Sequence, residues 1–124
     1  IRNLNDETIK GLIEEIQDVE GLVSLNLSEN RNVGNKGLRF LPMLSQISHL
    51  NISACCLNDY GIDPIIKMGN LRALDLSYCT RLTDQSIKKV GEMRRLRELN
   101  LRGVPKITHA TIKKIERRDL VLHL

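Results

Sequence analysis

The chain repeats itself four times within its 124 residues, and no other property limits its fold as strongly. Four segments begin at Leu22, Ile47, Leu71 and Leu96, so their starts are 25, 24 and 25 residues apart. Each segment is apolar at its first, fourth and sixth positions. A second segment of six residues follows it, and the first and last residues of this second segment are apolar. Four copies in register indicate stacked units, each of which buries its apolar face against its neighbours.

Each unit predicts one strand followed by one helix. The first segment alternates apolar and polar residues, which is the period of a strand with one buried face. The second segment leads into apolar residues at helical spacing, as at Ile87, Val90 and Met93. We expect its third residue to be the helix N-cap, because a short polar side chain can accept hydrogen bonds from free N–H groups there. The residues at this position are Asp6, Asn35, Asp59, Asp84 and the weaker His109.

Two prolines modify this scheme. We expect Pro42 to end the helix of its unit early, because proline cannot continue a helix without losing a hydrogen bond. The pair Asp63-Pro64 predicts a late helix start, with Pro64 at the first helical position.

Strand-plus-helix units with the pattern LxxLxLxxN/C resemble leucine-rich repeats. Residues 74–87, LDLSYCTRLTDQSI, are similar to the cysteine-containing class of F-box/leucine-rich-repeat proteins and their relatives. The resemblance implies an α/β solenoid with a short curved parallel sheet inside and helices on the convex side. It implies one domain over residues 1–124, with about four full repeats.

The resemblance also implies a function, namely a non-catalytic module for protein–protein interaction. Such a module would recognise a substrate or partner, as in F-box/leucine-rich-repeat ubiquitin-ligase adaptors. The alternative is an adaptor or assembly factor unrelated to ubiquitin, including one in mitochondria. Residues 1–124 contain no F-box sequence. Because the chain also begins without Met, we expect it to be a fragment of a longer protein.

Composition narrows the possible ligands and the compartment. Only 2% of residues are aromatic and Trp is absent, so the chain has few side chains that could form a stacking platform or an aromatic cage for a ligand.

The three cysteines form neither a disulfide framework nor a metal-binding pair. We therefore expect no cofactor, and we expect a reducing compartment, cytosol or nucleus. Cys55 and Cys79 occupy the turn position of their units, where we expect buried, structural thiols, and we expect Cys56 to be more exposed. No apolar run is long enough to span a membrane.

The polar positions between the strand leucines should form the concave face. They are Ser24, Asn26, His49, Asn51, Asp75, Ser77, Glu98, Asn100 and Arg102. One interpretation is a solvated sheet face, and the other is a partner-binding surface, for which solenoids commonly use their concave side. Ser24, His49 and Asp75 have the composition of a catalytic triad, but Asp75 would lie diagonally, about 7–8 Å away, so we expect no catalysis there.

Charge is unevenly distributed along the chain. Residues 1–61 carry 5 basic and 8 acidic residues, whereas residues 62–124 carry 14 basic and 7 acidic residues. The basic patch predicted on the convex side comprises Lys88, Lys89, Arg94, Arg95, Lys113, Lys114, Arg117 and Arg118. It is either a solvated helix face or a docking site for an acidic partner, phosphate or nucleic acid.

The two ends of a solenoid need separate treatment, because each exposes a face that lacks a neighbouring repeat. The acidic segment 6–20 predicts a helix that partly caps the first end. The strand at the other end carries Leu120, Leu122 and Leu124, and an open edge of this kind would favour self-association.

Overall fold

A computed structural model describes residues 3–124 of the chain. Five helices and five strands alternate along it, with one short 3₁₀ helix between the second helix and the second strand. The elements are α1 (Asp6–Ile16), β1 (Ser24–Asn26), α2 (Asn35–Leu38), the 3₁₀ helix (Leu41–Met43), β2 (His49–Asn51), α3 (Asp59–Ile66), β3 (Ala73–Asp75), α4 (Asp84–Gly91), β4 (Glu98–Asn100), α5 (His109–Ile115) and β5 (Val121–His123).

The five strands form one parallel sheet in the order of the sequence, β1-β2-β3-β4-β5. The register aligns the same position of every unit, so the central leucines form one column across the sheet, namely Leu25, Leu50, Leu74, Leu99 and Leu122. The first four of these leucines are buried, whereas the strand residues before and after each of them are at least partly exposed. The register predicted from the repeat spacing is therefore confirmed.

The core fills the space between the sheet and the helices. Successive helices pack on one another, and their apolar faces meet the strand leucines in one continuous cluster. Ile62 and Ile65 of α3, and Ile87 and Val90 of α4, have no exposed side-chain surface. Burial of such aliphatic side chains stabilises each unit against the next by about 1.5–3 kcal/mol per residue.

The predicted N-caps are wrong by one residue. Asn5, Asn58, Thr83 and Thr108 cap α1, α3, α4 and α5 with their side chains, and Gly34 precedes α2 without a side-chain cap. The residues predicted as caps occupy the first helical position instead. The acidic ones bind the next unit: Asp6 accepts from the Gly34 N–H at 2.7 Å, Asp59 from the Thr83 N–H at 2.9 Å and Asp84 from the Thr108 N–H at 2.8 Å.

We call Asp6, Asn35, Asp59 and Asp84, with the backbone and side chains they bind, the inter-repeat ladder. Asn35 takes part as an amide, since its Nδ2 donates to Asn58 Oδ1 at 2.6 Å and its Oδ1 accepts from the Asn58 N–H. His109 likewise occupies the first position of α5 rather than the N-cap. The ladder therefore ties the start of each of the first four helices to the start of the next.

The prolines have different outcomes. The prediction for Pro42 is confirmed, because α2 ends at Leu38 after four residues and Pro42 lies in the separate 3₁₀ helix. The prediction for Pro64 is wrong, because α3 begins at Asp59 and contains Pro64 in its interior. The reason is that Asn58 caps the helix and Asp59 binds Thr83 of the next unit, and these contacts fix the helix start ahead of the proline.

Both ends of the solenoid are also described by the structure. Helix α1 ends at Ile16 rather than at residue 20, and the chain then turns through Gly21, whose φ is 79°. At 11 residues α1 is the longest helix, and none between residues 3 and 124 is long and apolar enough to cross a membrane. Strand β5 lies at an edge of the sheet with Val121 and Leu124 exposed, and self-association through it stays a prediction.

Candidate functional site

The concave side of the sheet forms a groove of about 390 Å³. All five strands contribute residues to its lining, and Arg102 from the turn after β4 completes it. Eight of the nine predicted concave residues line this groove: Ser24, Asn26, His49, Asn51, Asp75, Glu98, Asn100 and Arg102. The ninth, Ser77, is only 5% exposed and lies outside the lining. His123 was not among the predicted residues but lines the groove as well, because its position in β5 aligns with Asn100.

Four of the groove residues have a structural role that the sequence analysis missed. Asn26, Asn51, Asp75 and Asn100 each accept, through Oδ1, the backbone N–H two residues further on, at distances of 2.9 to 3.0 Å. These are Asx turns, which hold the chain as it leaves each strand. The signal was available, since Asn or Asp stands at this position in four successive units and both residue types favour such turns.

The same residues still present groups to the groove. The side-chain Nδ2 groups of Asn26, Asn51 and Asn100 have no hydrogen-bond partner between residues 3 and 124. An amide nitrogen carries two donors, so three of the strands offer unused donors to the groove. Asn26 and Asn51 are one strand spacing apart, about 4.8 Å, whereas Asp75 of β3 lies between Asn51 and Asn100.

A second row of groove residues is formed by the first position of each strand. The register places Ala73 between His49 and Glu98, and its small side chain leaves the middle of the groove open. Glu98 Oε2 lies 2.7 Å from His123 Nε2, and this pair occupies the β4–β5 end of the groove. His49 Nδ1 lies 2.9 Å from the hydroxyl of Ser48.

The structure does not bring Ser24, His49 and Asp75 together as a catalytic relay. His49 aligns with Ser24 on one side and with Ala73 on the other, while Asp75 aligns with Asn51. Asp75 Oδ1 accepts from the Ser77 hydroxyl at 2.6 Å and from the Ser77 N–H. No hydrogen bond joins members of the trio in the described part of the chain, and no cluster there could hold a metal ion.

The cysteines at the turn position have the contacts expected of structural thiols. Cys55 Sγ donates to the Leu27 carbonyl at 3.1 Å, and Cys79 Sγ donates to the Ile52 carbonyl at 3.3 Å. Burial raises the pKa of Cys55 to about 11 and that of Cys79 to about 12. In the first unit Asn30 replaces the cysteine, and its Nδ2 donates to the Leu27 carbonyl at 2.8 Å. Cys56 is exposed, as predicted.

The basic patch is only partly available for binding. Lys88, Lys113 and Lys114 are exposed on α4 and α5, but Lys89 pairs with Asp63 at 3.3 Å. Arg117 is part of the fold, since its guanidinium donates to three backbone carbonyls, those of residues 91, 93 and 96, at 2.7 to 3.0 Å. Arg94, Arg95 and Arg118 are exposed in the loops that follow α4 and α5.

Two parts of the chain match the family model described as Leucine Rich repeat, residues 22–41 and 69–91. The first match contains β1 and α2, and the second contains β3 and α4. The units between and after them, β2–α3 and β4–α5, continue the same sheet in the same register.

The fold is a leucine-rich-repeat solenoid. A search of curated proteins gave no match to the chain. Leucine-rich repeats suggest protein–protein interaction in general, and leucine-rich-repeat proteins are typically non-catalytic.

Proposed function

We propose that the solenoid binds an extended segment of a partner protein in its concave groove. The observation that carries this proposal is a groove of about 390 Å³ to which every strand contributes. A segment crossing the strands would meet the unused amide donors of Asn26, Asn51 and Asn100 on three of the strands. These donors would pair with backbone carbonyls or polar side chains of the segment.

The chemistry of the groove favours a polar segment and a modest affinity. Charged side chains of both signs line it, namely the acidic Asp75 and Glu98 and the basic Arg102. None of its lining residues is Phe, Tyr or Trp. Because Trp and Tyr dominate tight interfaces, we expect a dissociation constant on the order of 1 µM rather than 1 nM.

We further propose that the solenoid is the substrate- or partner-recognition part of an F-box-type ubiquitin ligase in cytosol or nucleus. This rests on the resemblance of residues 74–87 to the cysteine-containing repeat class, with Cys55 and Cys79 in equivalent turn positions. The rival is an adaptor or assembly factor unrelated to ubiquitin, including one in mitochondria. Co-purification of the natural protein from cells tests this: ubiquitin-ligase subunits are expected, and their absence alongside a stable complex of other composition would favour the rival.

Binding of nucleic acid or phosphate by the basic patch is less well supported. Lys89 and Arg117 already have partners within the fold, so the patch presents fewer free cations than the sequence indicates. Charge reversal of Lys88, Lys113 and Lys114 should therefore leave partner capture unchanged.

The experiment that tests the groove replaces Ala73 with arginine. Ala73→Arg puts a long side chain in the middle of the groove but leaves every Asx turn intact, whereas changes at Asp75 or Asn100 would also disturb a turn. The matched control is Ala110→Arg, the same substitution at an exposed position of α5 on the convex side. Affinity capture followed by mass spectrometry compares the proteins retained by each variant.

We expect wild type and Ala110→Arg to retain the same partner and Ala73→Arg to lose it, with all three chains equally folded by circular dichroism. Retention of that partner by Ala73→Arg would contradict the proposal. Loss in both arginine variants would assign the effect to added charge and would also contradict it.

A further inference from the structure

A second, smaller pocket lies on the loops that follow the strands, and it shares no residue with the groove. Its volume is about 150 Å³. The first loop contributes Arg31, the second contributes Cys56, and the third contributes Tyr78, Thr80 and Arg81. The pocket therefore combines side chains from three successive repeats, and the proposed function in the groove does not use it.

A one-residue difference in loop length accounts for the recess. The loop between the buried residues Ile52 and Leu57 contains one residue fewer than the loops at the equivalent positions of the other three units. The neighbouring loops are longer and carry Arg31 and Arg81, so these arginines flank the shorter loop, which places Cys56 between them. The same deletion explains why this one repeat is 24 rather than 25 residues long.

Tyr78, one of the residues that line the pocket, also contacts the fourth repeat. Tyr78 has a φ of 61° and is 61% exposed, yet its ring lies against the backbone of Gly103. A side-chain carbon on Gly103 would collide with the ring, so glycine is needed there for Tyr78 to keep this position.

The two arginines have no acidic partner. Neither Arg31 nor Arg81 forms an ion pair in the part of the chain that the structure describes, and no carboxylate lines the pocket. The one hydrogen bond from the Arg81 guanidinium goes to Cys56 Sγ, at 3.4 Å. A guanidinium has five donors, so most donors of both arginines are unused.

We propose that this pocket binds the phosphate group of a phosphorylated serine or threonine in a partner protein. Two arginines lining one small pocket suit a tetrahedral oxyanion, because its several oxygens can accept charge-assisted hydrogen bonds from both guanidinium groups at once. A carboxylate has only two oxygens in one plane and would satisfy fewer of the donors. The volume of about 150 Å³ suits one compact group.

The position of the pocket suits a segment that also occupies the groove. Ala54 and Tyr78 of the pocket follow the groove residues Asn51 and Asp75 by three positions, so the two cavities lie on the same units. A phosphorylated residue near one end of a bound segment could therefore enter the pocket. Phosphate binding does not require occupation of the groove, and the two sites can be tested separately.

The test uses three probes: a short peptide with one phosphoserine, the same peptide with serine, and inorganic phosphate. Cys56 provides the readout, because it is exposed in the pocket while Cys55 and Cys79 are buried. We expect the phosphopeptide to slow alkylation of Cys56 in proportion to occupancy, with inorganic phosphate acting more weakly and the serine peptide having no effect. Side-chain NMR signals of Arg31 and Arg81 should shift in the same titration.

Arg31→Gln and Arg81→Gln keep a polar side chain but remove the charge, and each should weaken phosphopeptide binding about tenfold. Arg95→Gln, in the loop after α4, is the control and should bind like wild type. Each variant is compared with its own ligand-free alkylation rate, because Arg81→Gln also removes the contact to Cys56. Unchanged binding in both pocket variants, or equal protection by the serine peptide, would overturn the proposal. Binding of inorganic phosphate without the phosphopeptide would overturn the assignment to a partner protein.

Discussion

Single residues in the turn after each strand adopt a backbone conformation that most amino acids avoid. Glu29, Ala54, Tyr78 and Gly103 occupy equivalent positions and have φ values of 64°, 54°, 61° and 71°. The left-handed conformation costs a non-glycine residue about 1–2 kcal/mol. Only the fourth repeat has a glycine at this position. In the other three turns the folded state therefore includes the free-energy cost of the left-handed conformation.

Exchanging alanine and glycine between two of these turns should change stability in opposite directions. Ala54→Gly should raise the free energy of unfolding by about 0.5–1 kcal/mol, because relief of the left-handed strain exceeds the added entropy of the unfolded chain. Gly103→Ala should lower it by at least about 1 kcal/mol, since strain and a collision with the Tyr78 ring act together. Urea denaturation measures both, and a destabilised Ala54→Gly would contradict this explanation.

The three thiols should differ sharply in reactivity. Burial raises the pKa of Cys55 to about 11 and that of Cys79 to about 12, so at pH 8 both remain protonated as well as inaccessible. We therefore expect a thiol reagent at pH 8 to label one cysteine per native chain and all three after denaturation. Cys56→Ser should abolish the native labelling, and rapid labelling of a second cysteine in the native chain would contradict the packing of the turns.

At the scale of the elements, the inter-repeat ladder links one helix start to the next through three carboxylates and the Asn35 amide. Burial alone would raise the pKa of Asp59, but hydrogen bonds from Ser86 and Thr83 outweigh it and hold the pKa below its usual value of 3.8. Hydrogen bonds from the backbone and hydroxyl of Thr108 lower the pKa of Asp84 in the same way. The folded state therefore favours the ionised form of both carboxylates.

A depressed pKa in the folded state means that the stabilisation is complete above the unfolded-state value and is lost as pH falls through the folded-state value. We expect the melting temperature to fall as the pH drops below about 4. Asp84→Asn should be less stable than wild type at neutral pH and should approach it at low pH. Glu15→Gln, an exposed acid on α1 outside the ladder, is the control. A constant difference between Asp84→Asn and wild type from neutral to acid pH would rule out this role for the ladder.

The ladder also shows where sequence reasoning reaches its limit. The spacing of the leucines predicts the strands, their register and the buried face, because these follow from a periodicity within each unit. The role of Asp59 does not follow in the same way, since its partners Thr83 and Ser86 lie 24 and 27 residues further on. A polar residue at a helix start suits either the N-cap or the first helical position, and only packing between units decides which one it occupies.

The groove was predicted in outline for the same reason. Alternation along the strands places Ser24 and Asn26 on the concave side, as the structure does. The dual role of the asparagine column was missed, although Asx turns depend on local sequence, and His123 was missed because the last strand lacks the full repeat pattern. The loop pocket depends on a one-residue deletion, whose effect appears only when three repeats stand side by side.

At the scale of the whole molecule, the solenoid separates stabilising contacts from binding surfaces. The leucine column, the buried thiols and the ladder join each unit to the next, while the groove lies on the concave face that the helices leave uncovered. The small net charge of +4 conceals an acidic first half and a basic second half, but the groove itself carries both signs. We therefore assign the proposed partner recognition to the groove.

The dissociation constant of the complex with the captured partner tests this claim most directly, measured by calorimetry for wild type, Ala73→Arg and Ala110→Arg. An arginine in the middle of the groove should displace the bound segment and weaken binding at least about tenfold, which corresponds to about 1.4 kcal/mol. The control on α5 should match wild type. Equal dissociation constants for wild type and Ala73→Arg would show that the partner binds elsewhere on the solenoid and would contradict the account.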